Sequence, residues 1–94
     1  MRERTVEALL VKTVKAAGGL CLKWVSPGCV GVPDRIVLLP GGKAVFVEVK
    51  AQGGKLSPQQ RRRIKQLRDL GQEVEVVEGL LGVDHFTEKF LKRI

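Results

Sequence analysis

Ninety-four residues, 44% of them hydrophobic, set the scale of one small domain spanning 1–94, near the lower size at which a single core suffices, and exclude a disordered chain. Seventeen Lys and Arg against ten Asp and Glu give a formal charge of +7, which favours a polyanionic partner. No apolar run approaches the roughly 20 residues of a membrane span, so no membrane partner is expected.

The N-terminal Met1-Arg2-Glu3-Arg4 leads into an amphipathic pattern rather than a signal peptide, so the expected location is cytoplasmic. Residues 3 to about 17 read as a helix: Val6, Leu10, Val14 and Ala17 fall on one face at helical spacing, Arg4, Lys12 and Lys15 on the opposite one. Gly18-Gly19 ends it. Glu7 sits at the edge of the apolar stripe, where a carboxylate needs a reason, and Glu3 lies one turn earlier. One of them is an additional acid facing a site, with Glu7 ahead of Glu3; the alternative is a pair of N-terminal acids favoured by the helix dipole.

Leu20 to Val25 reads as a strand with Leu20, Leu22 and Trp24 on one face, Trp24 as packing. Cys21 and Cys29 lie eight apart without a second pair, so idle thiols are expected rather than zinc, a disulfide being the alternative. Ser26 to Pro33 is loop-like, its glycines and prolines marking turns. Ser26 is read as a turn residue or a phosphate contact.

From Gly31 to Lys50 the pattern is two strands folded back at Pro40-Gly41-Gly42, an antiparallel hairpin. Alternation puts Ala44, Phe46, Glu48 and Lys50 on one face and Val45, Val47 and Val49 on the other, and the fold-back brings Asp34 near Glu48. Two carboxylates with a lysine two residues on, at one end of a sheet, can hold a hard cation such as Mg²⁺ or Mn²⁺ through oxygen ligands and present an ammonium beside it. That set suits hydrolysis of a phosphodiester. Scarce aromatics, three Phe and one Trp with no Tyr, point to backbone reading of duplex or branched DNA over stacking of single-stranded bases.

Ala51 to Leu56 is a loop in which Lys55 can meet a phosphate. Ser57 as N-cap and Pro58 at the first helical position start a helix running to Leu70 and stopped by Gly71. Gln60, Ile64 and Leu67 share its inner face, so Gln60 points toward Lys50, a water or a phosphate oxygen, with Gln59 as the exposed alternative. Arg61, Lys65 and Arg68 form a basic stripe on another face, a DNA-backbone contact or a solvated surface. Glu73 to Val77 alternates as a strand whose helical crossover places it parallel to the Glu48 strand. Gly79 and Gly82 mark a turn, and Asp84 caps a short last helix with Phe86, Phe90, Leu91 and Ile94 inward and Arg93 at the boundary. The lone His85 is assigned no catalysis. The resulting class is α/β, a small mixed sheet of about four strands with helices on its faces, in the order α-β-β-β-α-β-α.

Pro33-Asp34, thirteen intervening residues and then Glu48-Val49-Lys50 resemble the PD-(D/E)XK nuclease signature and its restriction-endonuclease-like fold. Gly31-Val32-Pro33-Asp34-Arg35, Glu48-Val49-Lys50 and Leu56-Ser57-Pro58-Gln59-Gln60 together resemble the virus-type replication-repair nuclease domain, VRR-NUC. That resemblance implies a metal-dependent endonuclease with Asp34, Glu48 and the Val49 carbonyl on the metal, Lys50 serving the water, and a glutamate from the first helix. It also implies structured or branched DNA such as a four-way junction, a homodimer presenting two active sites, and no nucleotide cofactor. The competing class is a non-catalytic DNA-binding module that kept the fold and the basic surface.

Overall fold

The computed structural model describes residues 1–92. Arg93 and Ile94, assigned above to the last helix, lie outside the described residues. Helix α1 spans Glu3–Ala16, strands β1 Leu20–Lys23, β2 Arg35–Leu39 and β3 Lys43–Lys50, helix α2 Pro58–Asp69, strand β4 Val74–Glu78 and helix α3 Gly79–Phe86, which continues into a π-helical turn at Thr87–Leu91. The four strands lie side by side in chain order; β1, β2 and β3 are antiparallel neighbours, and β4 runs parallel to β3. This is the expected mixed α/β sheet in the expected element order.

The core follows from alternation. Val37 and Leu39 of β2, Val45, Val47 and Val49 of β3 and Val77 of β4 project to one face, where Val6, Leu10 and Val14 of α1 and Val83, Phe86 and Leu91 cover them. Val6, Leu10 and Val14 are the three α1 positions at i, i+4 and i+8, and full burial of each contributes about 1.5–3 kcal/mol. Helix α2 lies on the opposite face, over the β3–β4 end, with Ile64 buried and Val74 beneath it. The other end of that face is left uncovered, and Leu20, Leu22 and Leu38 are 57%, 47% and 39% exposed there. Trp24 packs on Phe46 with ring centroids 5.2 Å apart, as expected of a packing residue.

The hairpin turn at residues 40–42 uses two left-handed glycines, Gly41 and Gly42, with φ near 88° and 86°. Expectation and structure part at the C-terminal helix. Asp84 is not a cap: α3 begins at Gly79, directly after β4, and Asp84 is an exposed residue within it. Gly82 marks close packing rather than a turn, because a Cβ there would lie 3.0 Å from the Val77 carbonyl carbon. Cys21 and Cys29 are free thiols.

Candidate active site

The β2–β3 ladder ends with Arg35 opposite Val47, and Asp34 and Glu48 are the next residues beyond that pair. On the other side the Trp24 N–H donates to the Asp34 carbonyl at 2.9 Å, one residue beyond the end of the β1–β2 ladder. Glu48 projects to the α2 side of the sheet, where it meets Gln60, and the Asp34 charge acts on it there. Asp34 Oδ2 accepts the Val49 N–H at 2.8 Å. Glu48 is 1% exposed; its Oε2 accepts from Gln60 Nε2 at 2.8 Å and lies 3.6 Å from Lys50 Nζ. Burial, and next the Asp34 charge, push the Glu48 carboxyl up to about 7, against the opposing pull of Lys50; the charge of Glu3 adds to the rise.

A buried carboxylate raised by the charge of a second one, with a lysine at 3.6 Å and a neutral amide as its partners among the described residues, is a site short of positive charge. A divalent cation fits this donor set. Among the described residues no three His, Cys, Asp or Glu converge, so side-chain ligation would rest on Asp34 and Glu48, completed by water and by the Val49 carbonyl that the family resemblance implies. All-oxygen coordination with retained waters is what Mg²⁺ and Mn²⁺ accept.

The model of the VRR-NUC domain family matches residues 2–80. The chain belongs to the VRR-NUC nuclease-domain family. A protein of Acyrthosiphon pisum secondary endosymbiont phage 1 named "Putative nuclease p44" is 49% identical over 79 residues, covering 84% of this chain and 85% of that protein. A solved VRR-NUC domain superposes with a TM-score of 0.85 at 33% identity, covering 94% of this chain and 96% of that one.

In this VRR-NUC chain the helix α2 is started by a capping box. Ser57 Oγ accepts the Gln60 N–H at 3.1 Å while Gln60 Oε1 accepts the Ser57 N–H at 2.9 Å. One Gln60 amide therefore serves two ends, its oxygen closing the cap and its nitrogen fixing Glu48. The inward face read from the sequence is the face it occupies, although its partner is Glu48 rather than Lys50. Gln60→Ala should lower cleavage about 10- to 100-fold, the range for residues that orient a metal ligand, and Gln59→Ala, at an exposed position, should leave it near the unmodified rate. Steady-state cleavage of a labelled duplex by the two variants checks the ranking.

Of the two first-helix acids, the one ranked first is already paired within the fold. Glu7 Oε2 is bound by Arg35 Nε at 2.7 Å, and Arg35 Nη1 also donates to the Cys21 carbonyl at 3.2 Å, so Glu7 is spent as a counter-ion on the α1 face of the sheet. Its neighbour one turn earlier, Glu3, is exposed, and its charge makes the smallest contribution to the rise at Glu48. The signal for this pair was in the sequence. Arg35 shares the core-facing parity of Val37 and Leu39, and a guanidinium on that face requires an acid from the helix that covers it.

The basic stripe is only partly free. Lys65 Nζ holds Asp69 Oδ2 at 2.7 Å, one turn on, and Arg68 Nη2 donates to the Val74 carbonyl at 2.9 Å, whereas Arg61, exposed like both of them, has no side-chain partner among the described residues. Lys55 is exposed in the loop after β3, a loop pinned where the Gly53 N–H donates to Glu78 Oε2 at 2.8 Å. Ser26 acts as a turn residue, its carbonyl accepting the Cys29 N–H at 3.1 Å.

Proposed function

We propose that this VRR-NUC chain is a metal-dependent endonuclease that hydrolyses DNA phosphodiester bonds, with Asp34, Glu48 and the Val49 carbonyl holding Mg²⁺ or Mn²⁺. The observation that carries this reading is the meeting of two carboxylates and a lysine at one end of the sheet: Asp34 accepts the Val49 N–H next to Glu48, its charge acts on the buried Glu48, and Lys50 lies 3.6 Å from Glu48. A bound divalent cation supplies positive charge at the scissile phosphate and lowers the pKa of a bound water. Lys50 orients the attacking water and offsets negative charge developing on the phosphate oxygens. Gln60 keeps the Glu48 carboxylate in one rotamer, and Glu3 borders the site as the first-helix acid. Arg61 and Lys55 contact the DNA backbone, joined by Ser26 and by Lys65 and Arg68 where DNA draws them from their present partners.

The substrate we assign is branched DNA such as a four-way junction, taken by a homodimer. A domain this small has little surface for reading bases, and two copies present one site to each of two strands. The uncovered Leu20, Leu22 and Leu38, contiguous on one sheet face, are the surface a second copy would cover.

Cleavage of a labelled four-way junction, flap, splayed duplex, linear duplex and single strand, each with Mg²⁺, Mn²⁺ or EDTA, tests this reading. Metal-dependent cutting led by the junction is expected, and light scattering should give a dimer that Leu22→Glu converts to a monomer. DNA binding without cutting in either metal would make the chain a binding module.

A further inference from the structure

Arg63 stands one turn after Gln60 on α2 and takes no part in the site described above. Its Nε and Nη2 both donate to the Val30 carbonyl, at 3.3 and 3.1 Å, and its Nη1 donates to Gln66 Oε1 at 3.0 Å. A carbonyl taking two bonds from one planar guanidinium is held in direction as well as distance, which a lysine does less well. The carbonyl belongs to the loop that delivers Asp34. The next residue, Gly31, has φ of 80°, and a Cβ on it would lie 2.6 Å from the Gln59 carbonyl oxygen, so loop backbone rests directly on helix backbone. From there to Asp34 the chain is short and stiff: Val32 precedes a proline, and Pro33 is buried with fixed φ.

Residues 59–63 of one helix therefore support both acids. Gln60 holds Glu48 through its side chain, and Arg63 with the Gln59–Gln60 peptide holds the segment leading to Asp34. This support from the helix adds to the bonds Asp34 itself accepts, from the Val49 N–H and, through its carbonyl, from the Trp24 N–H, in holding two mutually repelling carboxylates at one spacing without a cation between them. We propose that Arg63 is a positioning residue of the cation site: it fixes Asp34 relative to Glu48 through the Val30–Pro33 segment, and so sets the affinity for the divalent cation without touching DNA. This rests on the metal-dependent reading of the Asp34–Glu48 pair.

The test is calorimetric titration of the metal-free protein with Mn²⁺, in the absence of DNA, for the unmodified chain and for Arg63→Gln and Arg63→Lys. Outer partners of metal ligands govern about 10- to 100-fold in affinity, so Arg63→Gln should bind Mn²⁺ at least about 10-fold more weakly, with Arg63→Lys between it and the unmodified chain. The Mn²⁺ concentration for half-maximal cleavage should rise in parallel while kcat at saturating Mn²⁺ stays within about twofold. DNA affinity in EDTA, and its slope against log salt, should not move. Equal Mn²⁺ affinities in the unmodified chain and Arg63→Gln overturn the proposal. So does weaker DNA binding with a smaller salt slope, which would make Arg63 a phosphate contact in the cleft it shares with Gln59, Arg62 and Gln66. Failure of the unmodified chain to bind Mn²⁺ would overturn the metal-site reading itself. Arg63→Lys keeps the charge and most of the stem, so it reports even where Arg63→Gln does not fold.

Discussion

Glu48→Gln is expected to remove cleavage, by more than about 10³-fold, while making the metal-free protein more stable at neutral and alkaline pH. The first effect follows from deleting the charge of a metal ligand with almost no change in side-chain volume, and Asp34→Asn should match it, since an asparagine oxygen can still accept the Val49 N–H. The second follows from linkage. Glu48 is pushed up to about 7 in the folded chain from an ordinary 4.5, so between those values the folded state keeps a proton that the unfolded state has released. Stability therefore falls as pH rises through this window, and above it the full cost, on the order of 3 kcal/mol, is carried by the folded state. A glutamine escapes that cost. Thermal melts in EDTA at pH 5 and pH 8 should show the variant gaining little at pH 5 and about 1–3 kcal/mol at pH 8, while losing the stabilisation that Mn²⁺ gives the unmodified chain. A variant that still cuts DNA, or that melts lower than the unmodified chain at pH 8, would remove Glu48 from the site or the buried charge from the account.

Lys50→Ala should divide binding from chemistry. The lysine ammonium lies 3.6 Å from Glu48 Oε2 but is no metal ligand, so calorimetry should still detect Mn²⁺ binding at pH 8. Turnover at saturating Mn²⁺ should fall about 10²- to 10⁴-fold, the range for a group that handles the proton or the developing charge of a reacting water. Raising the metal concentration should not restore it, because what is missing is a charge on the water and phosphate side of the site. The opposite split, with metal binding lost and turnover intact at saturating metal, would assign Lys50 to the structure of the carboxylate pair instead.

The local periodicities in this sequence determined most of the fold and the centre of the site. Two-residue alternation in Lys43–Lys50 set Glu48 and Lys50 on one face and the valines on the other, and the Pro40-Gly41-Gly42 turn fixed how far back Asp34 falls. Ser57-Pro58 and Gln60 announced both a helix start and an inward amide, since cap chemistry and helical spacing are properties of a few consecutive residues. Tertiary structure decided the matters that depend on two distant segments meeting. Glu7 and Glu3 are both possible helix acids by spacing; only the packing of α1 on the sheet, which puts Arg35 2.7 Å from Glu7, shows that Glu7 is already paired. The basic stripe is likewise a regular pattern along α2, yet whether a cation is free depends on what lies across from it, and Val74 and Asp69 engage two of the three. The bond from Arg63 to the Val30 loop gave no signal, because that partner is a backbone carbonyl, and every residue carries one. Sequence determines where a side chain points along its own element, and the packing of elements determines whom it meets.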